Sequence, residues 1–154
     1  MIKAILFDLD GTLLNREESL VYFINHQYKR LYPSLGFIPK GSYVSRFIQL
    51  DNRGYVWKDQ VYQQSINEFD IKGITQEELL KDYVEHFKNH CVPFENLIDM
   101  LEDLKKNQFK LAIISNGNGQ FQMDTIEALG IKDYFEEILI SEWEGLKKQI
   151  RKSF

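Results

Sequence analysis

Asp8 and Asp10 stand two residues apart directly behind the apolar run Ile2 to Leu6, and Gly11 and Thr12 follow them. A carboxylate presented at the end of a buried strand can attack a phosphoryl phosphorus and form an aspartyl-phosphate. A carboxyl two residues later can protonate the leaving group and then activate water. Strand geometry points residues i and i+2 the same way, so the spacing suits that pairing. Gly11 and Thr12 let the chain turn so that backbone N–H groups face a bound phosphate. Asp-Gly by itself signals only a turn. The string Asp8-Leu9-Asp10-Gly11-Thr12 behind a buried strand is far more specific.

A second group lies far along the chain, where Ser115, Asn116 and Gly117 end the apolar stretch Lys110 to Ile114. A hydroxyl and the amides of the following turn can hold phosphoryl oxygens. Lys147 and Lys148 follow a third apolar stretch, and an ammonium there can neutralise charge around nucleophile and phosphate. The competing reading is a solvated basic tail, since Arg151 and Lys152 come next.

Three elements must position these residues. Lys3 to Phe7 lacks polar alternation, as expected of a parallel strand covered on both faces. Lys110 to Ile114 and Phe135 to Ile140 are the second and third strands. Leu97 to Leu104 and about Gln120 to Leu129 are amphipathic helices beside them, the latter stopped by Gly130. Right-handed crossovers make such strands parallel and bring their carboxyl ends to one rim, where α/β folds place their sites.

Between the first strand and Pro93 the pattern is helical. Asn15 with Glu18 resembles a capping box ahead of a helix that should end near Tyr32, before Pro33. Ser34 to Gly41 reads as a loop, two further helices carry Val44 to Ile48 and Val56 to Phe69, and Thr75 with Glu78 caps a fourth that runs to about His90. Trp57, Tyr55, Tyr62 and Phe69 are expected in the core of this block. His26, His86 and His90 read as partly exposed helix residues rather than metal ligands. Arg46, Arg53 and Lys58 are cations that could meet an anionic substrate, with none preferred.

The 154 residues fit one domain or a small core plus a subdomain, and 44% hydrophobic with 14% aromatic residues is ample for a packed interior. Nineteen basic against 23 acidic residues, a net charge of −4 without a clustered basic face, argue against nucleic acid. No apolar run is long enough to span a bilayer and the start lacks a signal peptide's features, so a cytoplasmic protein is expected. The single cysteine, Cys91, excludes an internal disulfide framework and reads as an apolar filler on a helix.

Together the motifs resemble those of the haloacid dehalogenase superfamily of hydrolases with a helical cap inserted after the first strand. The resemblance implies an α/β fold, a three-layer Rossmann-like parallel sheet of about three strands, with core residues 1–14 and 93–154 and a cap over 15–92. It makes Asp8 the nucleophile, Asp10 the general acid/base, Thr12 their support and Ser115 the phosphate-binding hydroxyl with Asn116 and Gly117. Ser141 to Gly145 leads into the third motif, with Lys148 its lysine. It implies a Mg2+-dependent phosphatase of a small phosphorylated metabolite, with the Asp8 carboxylate and Asp10 carbonyl holding the metal. Dehalogenation on the same nucleophile is disfavoured, because Asp10-Gly11-Thr12 resembles the phosphatase branch.

Relatives of that pattern continue through a Pro-Asp-Pro segment, a fourth strand and a further acidic pair that completes the magnesium shell. Without these, Mg2+ binding and catalysis are expected to be weak or absent, because magnesium demands near-octahedral oxygen ligation. A one-base deletion in a segment encoding Lys-Lys-Pro-Asp-Pro-Lys-Ile-Phe yields the Lys-Lys-Gln-Ile-Arg-Lys-Ser of residues 147 to 153, so a frameshift truncation is the expected origin of this ending. The absent strands would leave the first strand as an apolar edge, open to homodimerisation, domain swapping or binding a partner in a non-catalytic remnant.

Overall fold

The computed structural model describes residues 3–144. Its chain divides into two compact units, one made of residues 1–16 and 91–154 and the other of Glu17–His90.

In the first unit, β1 (Ala4–Phe7), β2 (Lys110–Ser115) and β3 (Glu137–Ile140) form a parallel sheet in the order β1-β2-β3. The register pairs Phe7 with Ile113 and Ser115 with Ile140, so consecutive strands end near one level. The α/β class expected from the sequence is the one observed. Leu111, Ile113 and Ile140 are buried with Leu97, Leu101, Ile126 and Ile131, and Phe7 packs edge-on against Phe135 at 6.0 Å between ring centroids. Among the described residues β1 is an edge strand, and Leu6 on it is 64% exposed.

The seven α-helices among the described residues follow hydrophobic periodicity closely. α1 (Arg16–Arg30) buries Leu20, Phe23, Ile24, Gln27 and Tyr28, and its acidic first turn and basic last turn complement the helix dipole. α2 (Tyr32–Leu35) follows at once, with Pro33 in its first turn, and α3 (Lys40–Asp51) starts directly after Pro39. The expected loop is therefore confined to residues 36–39, with Ser34 and Leu35 in α2 and Lys40 and Gly41 in α3. Each proline sits where a missing N–H costs nothing. α4 (Lys58–Phe69) and α5 (Gln76–His86) complete the second unit. Thr75 caps α5 as expected: its hydroxyl accepts the Glu78 amide at 3.1 Å and the Glu78 carboxylate accepts the Thr75 amide at 2.8 Å. α6 (Leu97–Lys106) and α7 (Gly119–Ala128) flank β2 in sequence within the first unit.

The second unit has a polar centre that periodicity did not reveal. Gln27, fully buried, accepts from the Tyr43 hydroxyl at 2.9 Å and donates to Asp82 at 3.0 Å. Asp82 in turn takes two bonds from Arg30, at 2.9 and 3.1 Å. Burial raises the hydroxyl pKa of both Tyr43 and Tyr62, with the Asp82 charge adding to it, so both remain proton donors in this network.

Several side chains depart from expectation. Tyr62 is buried, but Tyr55 and Trp57 are 82% and 78% exposed, because the chain between α3 and α4 turns through left-handed Asn52 and Arg53 and breaks the helical spacing that would have faced them inward. His90 is buried and stacks on His26 at 4.4 Å. Arg46 is bound to Glu68 and Lys58 to Asp51, so two of the three candidate cations serve as structural partners. Cys91 lies outside any helix. Burial pushes its thiol up to about 11, against a Thr125 hydrogen bond, which leaves it the inert filler anticipated. No helix among the described residues is long and apolar enough to cross a membrane.

Candidate active site

The first motif is a tight turn nailed to the core. Leu9, Leu13 and Leu14 are fully buried, and the Leu9 carbonyl accepts the amides of Thr12, Leu13 and Leu14 at 3.2, 3.0 and 3.0 Å. The Gly11 amide closes on the Leu14 carbonyl at 2.9 Å, with Gly11 at φ +78°, where a side chain would strain the backbone. The turn thus satisfies these four donors within itself. Buried backbone N–H groups take partners locally when the turn offers them. With the leucines turned inward, Asp8 is half-buried while Asp10 and Thr12 are exposed. The Asp8 carboxylate accepts the Leu9 amide at 2.9 Å.

The second motif stands one strand away. Ser115 is the last residue of β2 and is buried, and Asn116 and Gly117 follow it on the surface. Because Phe7 and Ile113 are paired across the sheet, the residues just beyond them on each strand emerge side by side. One side chain joins the two motifs: the Gln122 amide nitrogen on α7 lies 3.1 Å from Asp10 Oδ2, 2.7 Å from Ser115 Oγ and 3.0 Å from the Asn116 carbonyl.

The segment after β3 braces the same loop. Ser141 Oγ accepts the Gly117 amide at 3.0 Å and donates to Asn116 Oδ1 at 2.7 Å. Glu142 receives the Gly119 amide at 3.0 Å and the Asn118 side chain at 3.1 Å, while Asn118 caps α7 through the Phe121 amide. The Gly117 N–H would have to give up Ser141 before it could serve a phosphate. Lys148 lies outside the described residues.

Sequence reasoning therefore named Asp8, Asp10, Thr12, Ser115, Asn116 and Gly117, and the structure brings Asp10, Ser115 and Asn116 into one hydrogen-bonded cluster. It missed Gln122. The signal was present: Gln122, Thr125, Ile126 and Leu129 have the i, i+3, i+4, i+7 spacing of a buried stripe, and a polar residue on such a stripe demands a partner.

As a cation site, the carboxylates of Asp8 and Asp10 are hard oxygen donors of the kind Mg2+ takes. Among the described residues, no group of three or more His, Cys, Asp or Glu side chains is arranged to hold a metal ion. These two carboxylates fit Mg2+ in kind.

A three-stranded parallel sheet with helices in the connections and an aspartate pair behind its first strand places the chain in the α/β class. The sequence profile of haloacid dehalogenase-like hydrolases matches residues 5–152, and the chain belongs to that family. It is similar to a phosphoglycolate phosphatase from Thiobacillus denitrificans, 31% identical over 146 residues that cover 90% of this chain and 60% of that protein. It is also similar to pyrophosphatase PpaX from Halalkalibacterium halodurans, 27% identical, covering 90% of this chain and 59% of the relative. Among solved structures, the magnesium-bound HAD-hydrolase YfnB from Bacillus subtilis shares the fold with a TM-score of 0.69 at 20% identity, over 95% of this chain and 66% of that one. The chain thus spans about 60% of the length of these curated relatives.

Proposed function

We propose that this chain is a phosphatase of a small phosphorylated metabolite that works through an aspartyl-phosphate on Asp8. The observation that carries the reading is the Gln122 amide, which ties Asp10 of the first motif to Ser115 of the second. The neighbouring relatives, named for phosphoglycolate and pyrophosphate, support a compact anionic substrate.

In this reading an Asp8 oxygen attacks phosphorus while the Asp10 carboxyl gives its proton to the departing alkoxide, so the P–O bond to the leaving group breaks as the Asp8–phosphorus bond forms. Asp10, now a carboxylate, takes a proton from water. That water's oxygen attacks phosphorus and releases phosphate and the Asp8 carboxylate, and Asp10 is protonated again. The Ser115 hydroxyl and the Asn116 segment hold phosphoryl oxygens, Thr12 supports the turn, and Lys148 supplies positive charge. Mg2+, held by the Asp8 carboxylate and the Asp10 carbonyl, would neutralise charge at the phosphoryl group. The Glu17–His90 unit is the cap that selects substrate.

The test is phosphate release from para-nitrophenyl phosphate and a panel of phosphometabolites with Mg2+, comparing the chain with Asp8→Asn. A rate that disappears in Asp8→Asn supports the enzyme. Equal background in both overturns it.

The exposure of Leu6 on the β1 edge favours a second reading, a non-catalytic chain that pairs β1 with another copy of itself. Sedimentation should then show a dimer that Leu6→Lys dissociates. A wild-type chain that remains monomeric at high concentration excludes it.

A further inference from the structure

Gln122 is 3% exposed and its side chain lies among groups that all accept hydrogen bonds. A primary amide has two hydrogens. Here its nitrogen faces three oxygens, Asp10 Oδ2, Ser115 Oγ and the Asn116 carbonyl, at 3.1, 2.7 and 3.0 Å, so at least one hydrogen is shared. The Asp10 carboxylate and the Asn116 carbonyl offer only lone pairs to this nitrogen, which settles which end of the amide points at them. Ser115 is thereby cast as an acceptor from Gln122, and its own hydrogen is left for another acceptor.

We propose that Gln122 is a positioning residue for phosphoryl transfer: its amide holds the Asp10 carboxyl toward the leaving-group side and turns the Ser115 hydroxyl so that it donates to a phosphoryl oxygen.

The setting is built for that role. Gln122 stands one turn into α7, where its own amide bonds to the Asn118 carbonyl. Gly117, at φ +135°, is its neighbour, and an added Cβ there would meet the Gln122 Cγ, Cδ and Nε2 atoms at an ordinary contact distance of 3.5 Å. The side chain is buried, and its amide nitrogen is tied to three acceptors from two different segments. A rigid donor pinning an acid/base group matters because proton transfer in the transition state depends on geometry within tenths of an ångström.

This proposal rests on the phosphatase reading above, and its test separates the two. General-acid help matters most when the leaving group is a poor one, so a residue that aims Asp10 should affect an alkyl ester more than an aryl ester. In the full chain, Gln122→Met, of similar volume but without the amide, is expected to lower kcat for glycerol phosphate by about tenfold or more. The loss for para-nitrophenyl phosphate should be several-fold smaller. Equal losses on both esters, or none, overturn the proposal. If the parent chain shows no Asp8-dependent rate, the phosphatase reading falls and the Gln122 side-chain amide decides the bridge by nuclear magnetic resonance. Gln122 side-chain amide signals displaced in Asp10→Asn relative to the parent chain support it. Signals indifferent to Asp10 overturn it, and because this second measurement uses the parent fold, a Gln122→Met chain that fails to fold does not shield the idea.

Discussion

The carboxylate of Glu142 accepts the backbone amide of Gly119 at 3.0 Å, so the segment that leaves β3 supplies an anion to the first turn of α7. An acidic side chain at that end satisfies an orphan N–H and complements the helix dipole. Glu142→Ala should therefore lower stability by about 0.5–1 kcal/mol. Glu142→Gln, which can keep the hydrogen bond but not the charge, should lose less. Urea denaturation of the three chains at one ionic strength measures the order, and equal midpoints would remove Glu142 from any bracing role.

Gly119 also carries the indole of Trp143, since a Cβ at position 119 would fall 2.0 Å from Trp143 Nε1. Gly119→Ala must push the ring away. In a Trp57→Phe background, where Trp143 is the sole emitter, the substitution should shift fluorescence to the red and cost about 1–3 kcal/mol. Unchanged emission would mean that the ring does not rest on Gly119 in solution.

Asp82 is the anionic centre of the helical unit, bound by Arg30 twice and by Gln27 once. Removing it leaves a partly buried guanidinium without its carboxylate, while the Gln27 amide keeps the Tyr62 hydroxyl. Asp82→Ala should destabilise by about 3 kcal/mol, and Asp82→Asn by less, because an amide oxygen still accepts. Thermal melting of both variants provides the comparison, and a loss for Asp82→Ala no greater than for an exposed aspartate such as Asp70 would contradict the assignment.

His90 gives the fold a dependence on pH. Burial first, then the charges of His26, Arg30 and His86, lower its pKa to about 4 against the opposing pull of Asp82. Arg30 Nη1 faces its Nε2 at 3.3 Å, and its buried Nδ1 has no hydrogen-bond partner among the described residues. The unfolded chain takes up a proton near the ordinary histidine value while the folded chain resists. The stabilisation from neutral His90 is thus complete above about pH 6.5 and is lost as pH falls toward 4. Denaturation at a series of pH values should show this decline in the parent chain and a shallower one in His90→Gln. Parallel curves would place the pH sensitivity elsewhere.

Much of the architecture could be read from residue order alone. The apolar runs became β1, β2 and β3, the helical spacings became α1, α3, α4, α5, α6 and α7, and the Thr75–Glu78 box stands as expected. Those signals are local: side-chain period and capping chemistry act within a few residues. Where a left-handed pair intervened, at Asn52 and Arg53, the period lost phase and the burial of Tyr55 and Trp57 was misread.

The sequence by itself determined that two aspartates follow one strand and a serine ends another, since strand ends and turn residues are written in consecutive positions. Only the tertiary structure decided what ties them together. Gln122 reaches across 112 positions to Asp10, and Ser141 and Glu142 reach back 24 and 23 to the amides of Gly117 and Gly119. A hydrogen bond depends on distance in space and on which donors are cut off from water, and neither is set until the sheet register has brought those segments together.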